Sequence, residues 1–281
     1  MHEGNSLKPA PQTHFMNRLL LYLELVRMEF VNNLAYRASY FTGIFNYSIQ
    51  IGAYFFLWDA VYSGQRVIGG LNKEEMLTYV IVAWVVRSFY FSNLDRRVGT
   101  DIRDGKIALE LIRPYSYQMV KFARAFGEAI FRMIFFALPA GIFIYLIRPF
   151  GLPPGWHNTL VFLISLLGSF VIYAQVSMLA GFVVFFTKSP SGVYKAKRVV
   201  MDLFSGLLLP ISFYPDWAVK VIKLFPFQTV SYMPNLIYLG KISGAAAFNV
   251  IGLQWFWIAV LALFSALFWE FAVKHVVIQG G

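Results

Sequence analysis

The chain has 281 residues, of which 58% are hydrophobic and 14% are charged, with a formal net charge of +10. Its apolar residues form blocks of about 20 residues, long enough to cross a bilayer as helices, so an ordinary soluble domain is excluded and an all-α integral membrane protein is predicted. Without cysteine, disulfides, thiolate metal sites and cysteine nucleophiles are excluded, and the four scattered histidines predict no resident metal or cofactor. Basic residues of membrane proteins collect on cytoplasmic loops, so the positive charge does not predict nucleic-acid binding.

The N-terminal segment, residues 1–38, is predicted to stay in the cytoplasm. Its first 15 residues are polar and charged residues interrupt the apolar run after them, so a signal-peptide core is missing. Further along this segment, one face of a helix would carry four polar residues, namely Arg18, Tyr22, Glu29 and Asn33. That pattern predicts a helix lying in the membrane interface. A cytoplasmic extension of the first span fits the periodicity equally well.

Six membrane-spanning helices are predicted over residues 39–281. Their approximate bounds are 39–62, 76–93, 122–147, 159–186, 199 to a break at Pro210, and 248–273. With both termini in the cytoplasm, this division puts more than twice as many lysines and arginines inside as outside, as the positive-inside rule requires. The sequence therefore predicts a multi-pass protein of the cell membrane.

One polar interval between the apolar segments, residues 94–121, carries many charges of both signs. Five of its bases are Arg96, Arg97, Arg103, Lys106 and Arg113. The apolar residues interleaved with its charges are Ile102, Ile107, Leu109, Leu111 and Ile112. This mixture predicts a short helix docked on another protein, broken near Gly105 and ended near Arg113 because Pro114 lacks an amide donor.

Within this interval, Ile107 and Leu111 are predicted to be the main anchors for a docking partner, because residues four apart share a helical face. Ile102 is predicted to join them across Gly105. The surrounding charges would set the orientation and the rate of encounter. The alternative is a solvated loop whose bases only fix topology. The positive-inside rule, however, explains only the bases of this loop and accounts for neither its acids nor its apolar residues.

The stretch from Pro210 to Gly244 departs from a simple crossing. The fifth apolar segment meets Pro210 after about a dozen residues, too few to cross a bilayer as a straight helix. Three further prolines, Pro215, Pro226 and Pro234, cut the following residues into two short amphipathic pieces. They predict a helical hairpin that dips into the outer leaflet, covered by protein or facing a polar cavity.

Ionisable residues inside predicted spans are costly and tend to face a bundle interior or to pair. The candidates are Asp59, Arg87, Glu128, Arg132, Asp202 and Glu270. Arg87 and Glu128 lie at matching depths in adjacent spans, which predicts a pair between helices, although Glu128 and Arg132 are also spaced for a pair within one helix. Asp59 and Glu270 lie near span ends, where hydration is the better interpretation.

The chain lacks the sequence that holds nucleotide phosphates in a P-loop. Its two Gly-Lys pairs are Gly105-Lys106 and Gly240-Lys241, and each fails the G-x-x-x-x-G-K-[ST] pattern on both sides. It also lacks the paired acidic motifs that could hold magnesium for lipid-phosphate chemistry. A membrane enzyme is therefore the weaker functional class, and no catalytic residue is predicted.

Several motifs together resemble an ABC-2 type permease, the membrane subunit of an ATP-driven transporter. They are LAYRASY at residues 34–40, DIRDGKIALELIRPYSY at 101–117, and the series Gly206, Pro210, Pro215, Trp217 and Pro226. They are similar to the branch whose operons typically encode two related permeases and one separate ATPase.

This resemblance implies that a coupling helix around residues 96–113 sits in a cleft of an ATPase dimer, which itself binds ATP and magnesium. It also implies a hairpin over residues 215–240 and a second permease chain, either a copy or a relative. The implied activity is export of a hydrophobic or amphipathic compound. An aromatic-rich interior with few charges suits lipids, hydrophobic drugs and amphipathic peptides alike.

A second functional class is a membrane scaffold or sensor that recruits a cytoplasmic partner through the same loop without transporting anything. Stimulation of the partner's ATPase by a transported compound would separate this hypothesis from the permease.

Overall fold

The computed structural model describes residues 11–35, 38–64, 66–187 and 189–274, with side chains from residue 18 onward and, in the second helix, from residue 48. Helix dominates these residues, which confirms the all-α prediction. One small hairpin, β1 (Val67–Ile68) paired antiparallel with β2 (Leu71–Asn72), was not predicted from the sequence. The predicted cytoplasmic ends at residues 1–10 and 275–281 lie outside the described residues.

Helices follow one another along the described chain. In the first half they are α1 (Pro11–Ala35), α2 (Ala38–Val61), α3 (Lys73–Tyr90), α4 (Leu94–Arg103), α5 (Lys106–Leu111) and α6 (Tyr117–Arg132). In the second half they are α7 (Leu138–Ile147), α8 (Trp156–Phe182), α9 (Pro190–Phe204), α10 (Asp216–Ile222), α11 (Tyr232–Tyr238) and α12 (Gly244–Val273).

Four helical stretches of the described chain are long and apolar enough to cross a membrane, over residues 73–103, 117–147, 156–186 and 244–273. They coincide with the predicted second, third, fourth and last spans, and the chain is a multi-pass membrane protein by length and composition. The predicted first span coincides with α2 within one residue at each end. The complete six-span arrangement stays a prediction.

The predicted fifth span begins inside a longer helix. Helix α9 begins at Pro190, about nine residues before the predicted start at Val199, because proline is favoured in the first turn of a helix. The helix therefore includes the basic residues that were predicted to form a loop. Its 15 residues rise about 22 Å, less than the roughly 30 Å of a hydrocarbon layer. This length agrees with the prediction that the segment does not cross the bilayer as a straight helix.

A π-helical turn at Met133–Ala137 separates α6 from α7 within the third predicted span. Pro139, two residues after the turn, lacks the amide that would bond the carbonyl four residues earlier. A π turn is one of the ways in which a helix absorbs such a loss.

Helix α8 lies at the centre of the packing and contacts α3, α4, α11 and α12. Its buried side chains include Phe170, Tyr173, Met178 and Phe182. The buried amide of Gln254 in α12 donates to two backbone carbonyls, at 3.0 Å to Ser165 in α8 and 2.8 Å to Thr229. These bonds satisfy a polar group that would be costly to leave unpaired in an apolar interior.

Helix α1 packs along α6 through a glycine. A Cβ added at Gly127 would lie 2.3 Å from the backbone oxygen of Val26, so any side chain there would push α1 away. On the outer side of α1, the apolar side chains of Leu20, Leu23 and Met28 are exposed. An exposed apolar side is compatible with the predicted interfacial helix.

The region after α9 forms two short helices, α10 and α11, separated near Pro226 as the sequence predicts. Lys241, just after α11, pairs at 2.7 Å with Glu75 in the first turn of α3. This pair holds the end of the short-helix region beside the start of the second predicted span. Its position in the outer leaflet stays a prediction.

Candidate functional site

The predicted docking interval folds as two helices joined at a glycine. Gly105 has φ +69°, a left-handed conformation that favours glycine, so the predicted break is confirmed. The second helix, α5, ends at Leu111, two residues before the predicted end at Arg113. The interval therefore presents α4 and α5 as separate short helices.

The apolar residues of this interval divide between the core and the surface. Ile107 is only 1% exposed and belongs to the core of this chain, so its predicted role as a docking anchor is wrong. Ile102 is half-buried and packs against the same core. Leu109, Leu111 and Ile112 are exposed, the last at 81%. We call these three residues the α5 apolar surface.

Charged residues surround the α5 apolar surface. Lys106 pairs with Asp104 at 2.9 Å, and this hydrogen bond raises the pKa of the Lys106 ammonium, so it stays charged at neutral pH. Arg113 pairs with Glu110 at 2.9 Å and donates to the Tyr115 hydroxyl. The Lys106–Asp104 pair is exposed on both sides, whereas Glu110 in the second pair is only 19% exposed, so the first pair adds little stability.

Arg97 bridges three helices and does not present a free charge to a partner. It lies 2.8 Å from Glu29 of α1 and 2.9 Å from Glu128 of α6. Glu128 also pairs with Arg132 at 3.3 Å, which confirms the alternative pair within one helix. The predicted pair between Arg87 and Glu128 is wrong, because both oxygens of Glu128 are already engaged by these two arginines.

Arg87 pairs instead with Asp202 of α9, at 3.0 Å and 3.3 Å to its two carboxylate oxygens. Its guanidinium also lies 4.5 Å from the centre of the Phe91 ring, a cation–π contact. Arg198 approaches the same carboxylate at 3.7 Å. The sequence places Arg87 and Asp202 in predicted spans but gives no sign that α9 folds back beside α3.

A second buried pair was not predicted at all. The Lys197 ammonium of α9 lies 3.0 Å from Asp95 of α4 and donates to the Ser177 hydroxyl of α8 at 3.1 Å. Burial lowers the pKa of Lys197, and the Asp95 carboxylate opposes that change. Both residues fall in predicted loops, and neither periodicity nor spacing links residues about a hundred positions apart.

A third connection joins α4 to the start of α6. Lys121 pairs with Asp101, and the Tyr117 hydroxyl donates to the same carboxylate at 2.8 Å. Helix α4 is therefore tied by ion pairs to α1, α6 and α9. A force on this helix would reach three neighbouring elements through fixed charged contacts.

The other predicted intramembrane charges lie at the surface. Asp59 pairs with Lys73 at 3.0 Å, with both side chains about 40% exposed, and Glu270 is exposed. In the described residues, no group of three or more histidine, cysteine or acidic side chains could hold a metal ion.

The sequence model of the family described as ABC-2 family transporter protein matches residues 48–280. The match takes in the two helices of the docking interval, the short-helix region after α9 and both buried pairs of α9, and leaves α1 outside. No curated protein matches the chain. The resemblance found in the motifs is confirmed by this match.

Proposed function

The chain belongs to the ABC-2 transporter family, and from this premise we propose that it is the permease subunit of an exporter driven by a separate ATPase. The partner ATPase would bind ATP and magnesium and dock on the interval of residues 94–121. The transported compound would be hydrophobic or amphipathic. The protein would lie in the cell membrane with both termini in the cytoplasm.

The exposed α5 apolar surface is the observation that carries this proposal. In protein interfaces, a few well-packed apolar anchors supply most of the binding energy while surrounding charges set orientation and encounter rate. The α5 apolar surface has this composition, with paired charges at its edge. It adjoins α4, whose ion pairs to three helices offer a route for movement of an ATPase to reach the membrane part.

A second permease chain, identical or related, is proposed as a further partner. In this family six helices form half of a pathway. Helix α12 is long enough to span a membrane and is largely exposed in the single chain. Its outward residues include Trp255, Leu263 and Phe264, which lipid or a second permease could cover.

The proposed ATPase contact is tested by changing two residues of the α5 apolar surface together, Leu109→Asp and Ile112→Asp. Copurification with the ATPase encoded beside this chain should fall to background, because charges would replace apolar anchors in the interface. Insertion and folding should persist, since Leu109 and Ile112 are 62% and 81% exposed. Leu152→Asp, an equally exposed change on a predicted outer loop, should leave copurification intact.

Ile107→Asp separates folding from docking in the same assay, because its buried side chain should cost yield of the chain itself. Neutralising Arg103 or Lys106 should weaken the association less, and the loss should shrink at high salt because rim charges are screened. If the ATPase copurifies with the Leu109, Ile112 double variant at wild-type yield, the result would favour the alternative in which residues 94–121 form a solvated loop whose bases only fix topology. Intact docking without stimulation of ATP hydrolysis by any transported compound would favour the scaffold or sensor.

A further inference from the structure

We propose that a basic cleft between α4 and α9 binds the phosphate group of an anionic phospholipid. The cleft encloses about 280 Å³. Its lining residues from α4 are Arg96, Thr100 and Arg103, and those from α9 are Ser191, Tyr194 and Lys195. This inference rests on the chain alone and does not depend on the proposed coupling to an ATPase.

The bases of this cleft have no acidic partner in the part of the chain that the structure describes. Arg96, Arg103 and Lys195 form no ion pair within the described residues, and no carboxylate lines the cleft. The larger neighbouring cavity, of about 470 Å³, shares Arg96 and Thr100 with the cleft but differs because Glu29 and Asp101 line it beside its bases. The cleft therefore offers an anion three bases with no acid in its lining.

The lining groups suit a ligand with several acceptor oxygens. Two guanidinium groups, one ammonium and three hydroxyls all offer hydrogen-bond donors. A phosphate presents several charged oxygens, and hydrogen bonds between ionised groups are stronger than those between neutral ones.

The residues beside the cleft favour a lipid as the source of this phosphate. Along α9, Val199 and Leu203 continue in steps of four residues from Ser191 and Lys195, so each of the four is a helical neighbour of the next. The first two line the cleft, whereas Val199 and Leu203 further along are exposed apolar side chains. A headgroup in the cleft would leave its acyl chains beside this apolar part of α9. Basic pockets between helices on the cytoplasmic side of membrane proteins are known to hold lipid headgroups.

The test measures binding of phosphatidylglycerol and phosphatidylcholine to the purified full-length chain in detergent by native mass spectrometry. The wild-type chain should bind phosphatidylglycerol more tightly than phosphatidylcholine. The variant with Arg103→Gln and Lys195→Gln should raise the Kd for phosphatidylglycerol roughly 30-fold, since each basic residue near a membrane surface contributes about fivefold. Binding of phosphatidylcholine should not change.

Two further variants keep the result interpretable. Lys220→Gln with Lys223→Gln removes the same charge from exposed positions in and after α10 and should bind phosphatidylglycerol like the wild type. Arg103→Lys with Lys195→Arg keeps both charges and should retain binding, which would show that the charge at these two positions holds the lipid.

Three results would overturn the proposal. They are equal affinity of the wild type for the two lipids, an unchanged Kd in the glutamine variant, and displacement of phosphatidylglycerol by an equal concentration of inorganic phosphate, which would assign the cleft to a free anion. Retained lipid binding with lost ATPase association in the glutamine variant would instead assign these bases to an acidic protein partner.

Discussion

Replacing Lys197 by methionine is expected to destabilise the chain by about 3–5 kcal/mol, because removing one member of a buried ion pair leaves the other charge uncompensated. The Lys197 and Asp95 side chains are 7% and 4% exposed, so water cannot replace the lost ammonium. The Ser177 hydroxyl would lose a donor as well. The measurement is thermal unfolding of the purified chain in detergent.

Two matched variants show whether the loss belongs to the pair. Lys195→Met, two residues earlier and exposed without an ion pair in the described residues, should change stability by less than about 0.5 kcal/mol. Combining Lys197→Met with Asp95→Leu should recover much of the stability, since apolar residues can replace a buried pair without loss. If the double variant is as unstable as Lys197→Met alone, the pair does not hold α9 on α4.

Reversing the charge of Arg87 to aspartate should have a comparably severe effect. The change would set the introduced carboxylate beside that of Asp202, at a site where the wild-type arginine is almost fully buried. Exchanging both charges, Arg87→Asp with Asp202→Arg, should restore part of the folded yield and melting temperature. Restoration should be partial, because Arg198 would then face a new arginine.

The exposed pair of Asp59 and Lys73 is a matched control for this exchange. Its charged atoms lie at the same 3.0 Å separation, but both side chains are about 40% exposed. Reversing Lys73 alone should therefore cost about 1 kcal/mol or less. Equal damage in the Arg87 single variant and in the exchanged double variant would mean that the two residues act independently.

Most helices, including the long apolar ones, could be predicted from the sequence, because apolar blocks and prolines determine helix formation through neighbouring residues alone. The break at Gly105 and the two short helices around Pro226 followed from the same local rules. The apolar residues from Val199 onward did not show that the helix begins earlier, at Pro190 within basic residues.

The partners of the buried charges could not be predicted, because they depend on which helices meet. Arg87 and Asp202 are 115 positions apart, and matching depth within spans favoured Glu128 instead. Periodicity also placed Ile107 and Leu111 on one face without showing that the chain itself covers Ile107. Spacing identifies a face of a helix, whereas burial decides whether that face is available to a partner.

A cross-linking measurement tests most directly whether the α5 apolar surface docks on an ATPase. The chain contains no cysteine, so Ile112→Cys introduces a single reactive thiol at an exposed position. Leu152→Cys, also exposed but on a predicted outer loop, is its control. With a thiol-to-amine cross-linker in membranes that contain the ATPase, we expect a permease–ATPase product from position 112 and none from position 152. Absence of that product at position 112, with both cysteines equally reactive toward a soluble thiol reagent, would contradict the proposed docking.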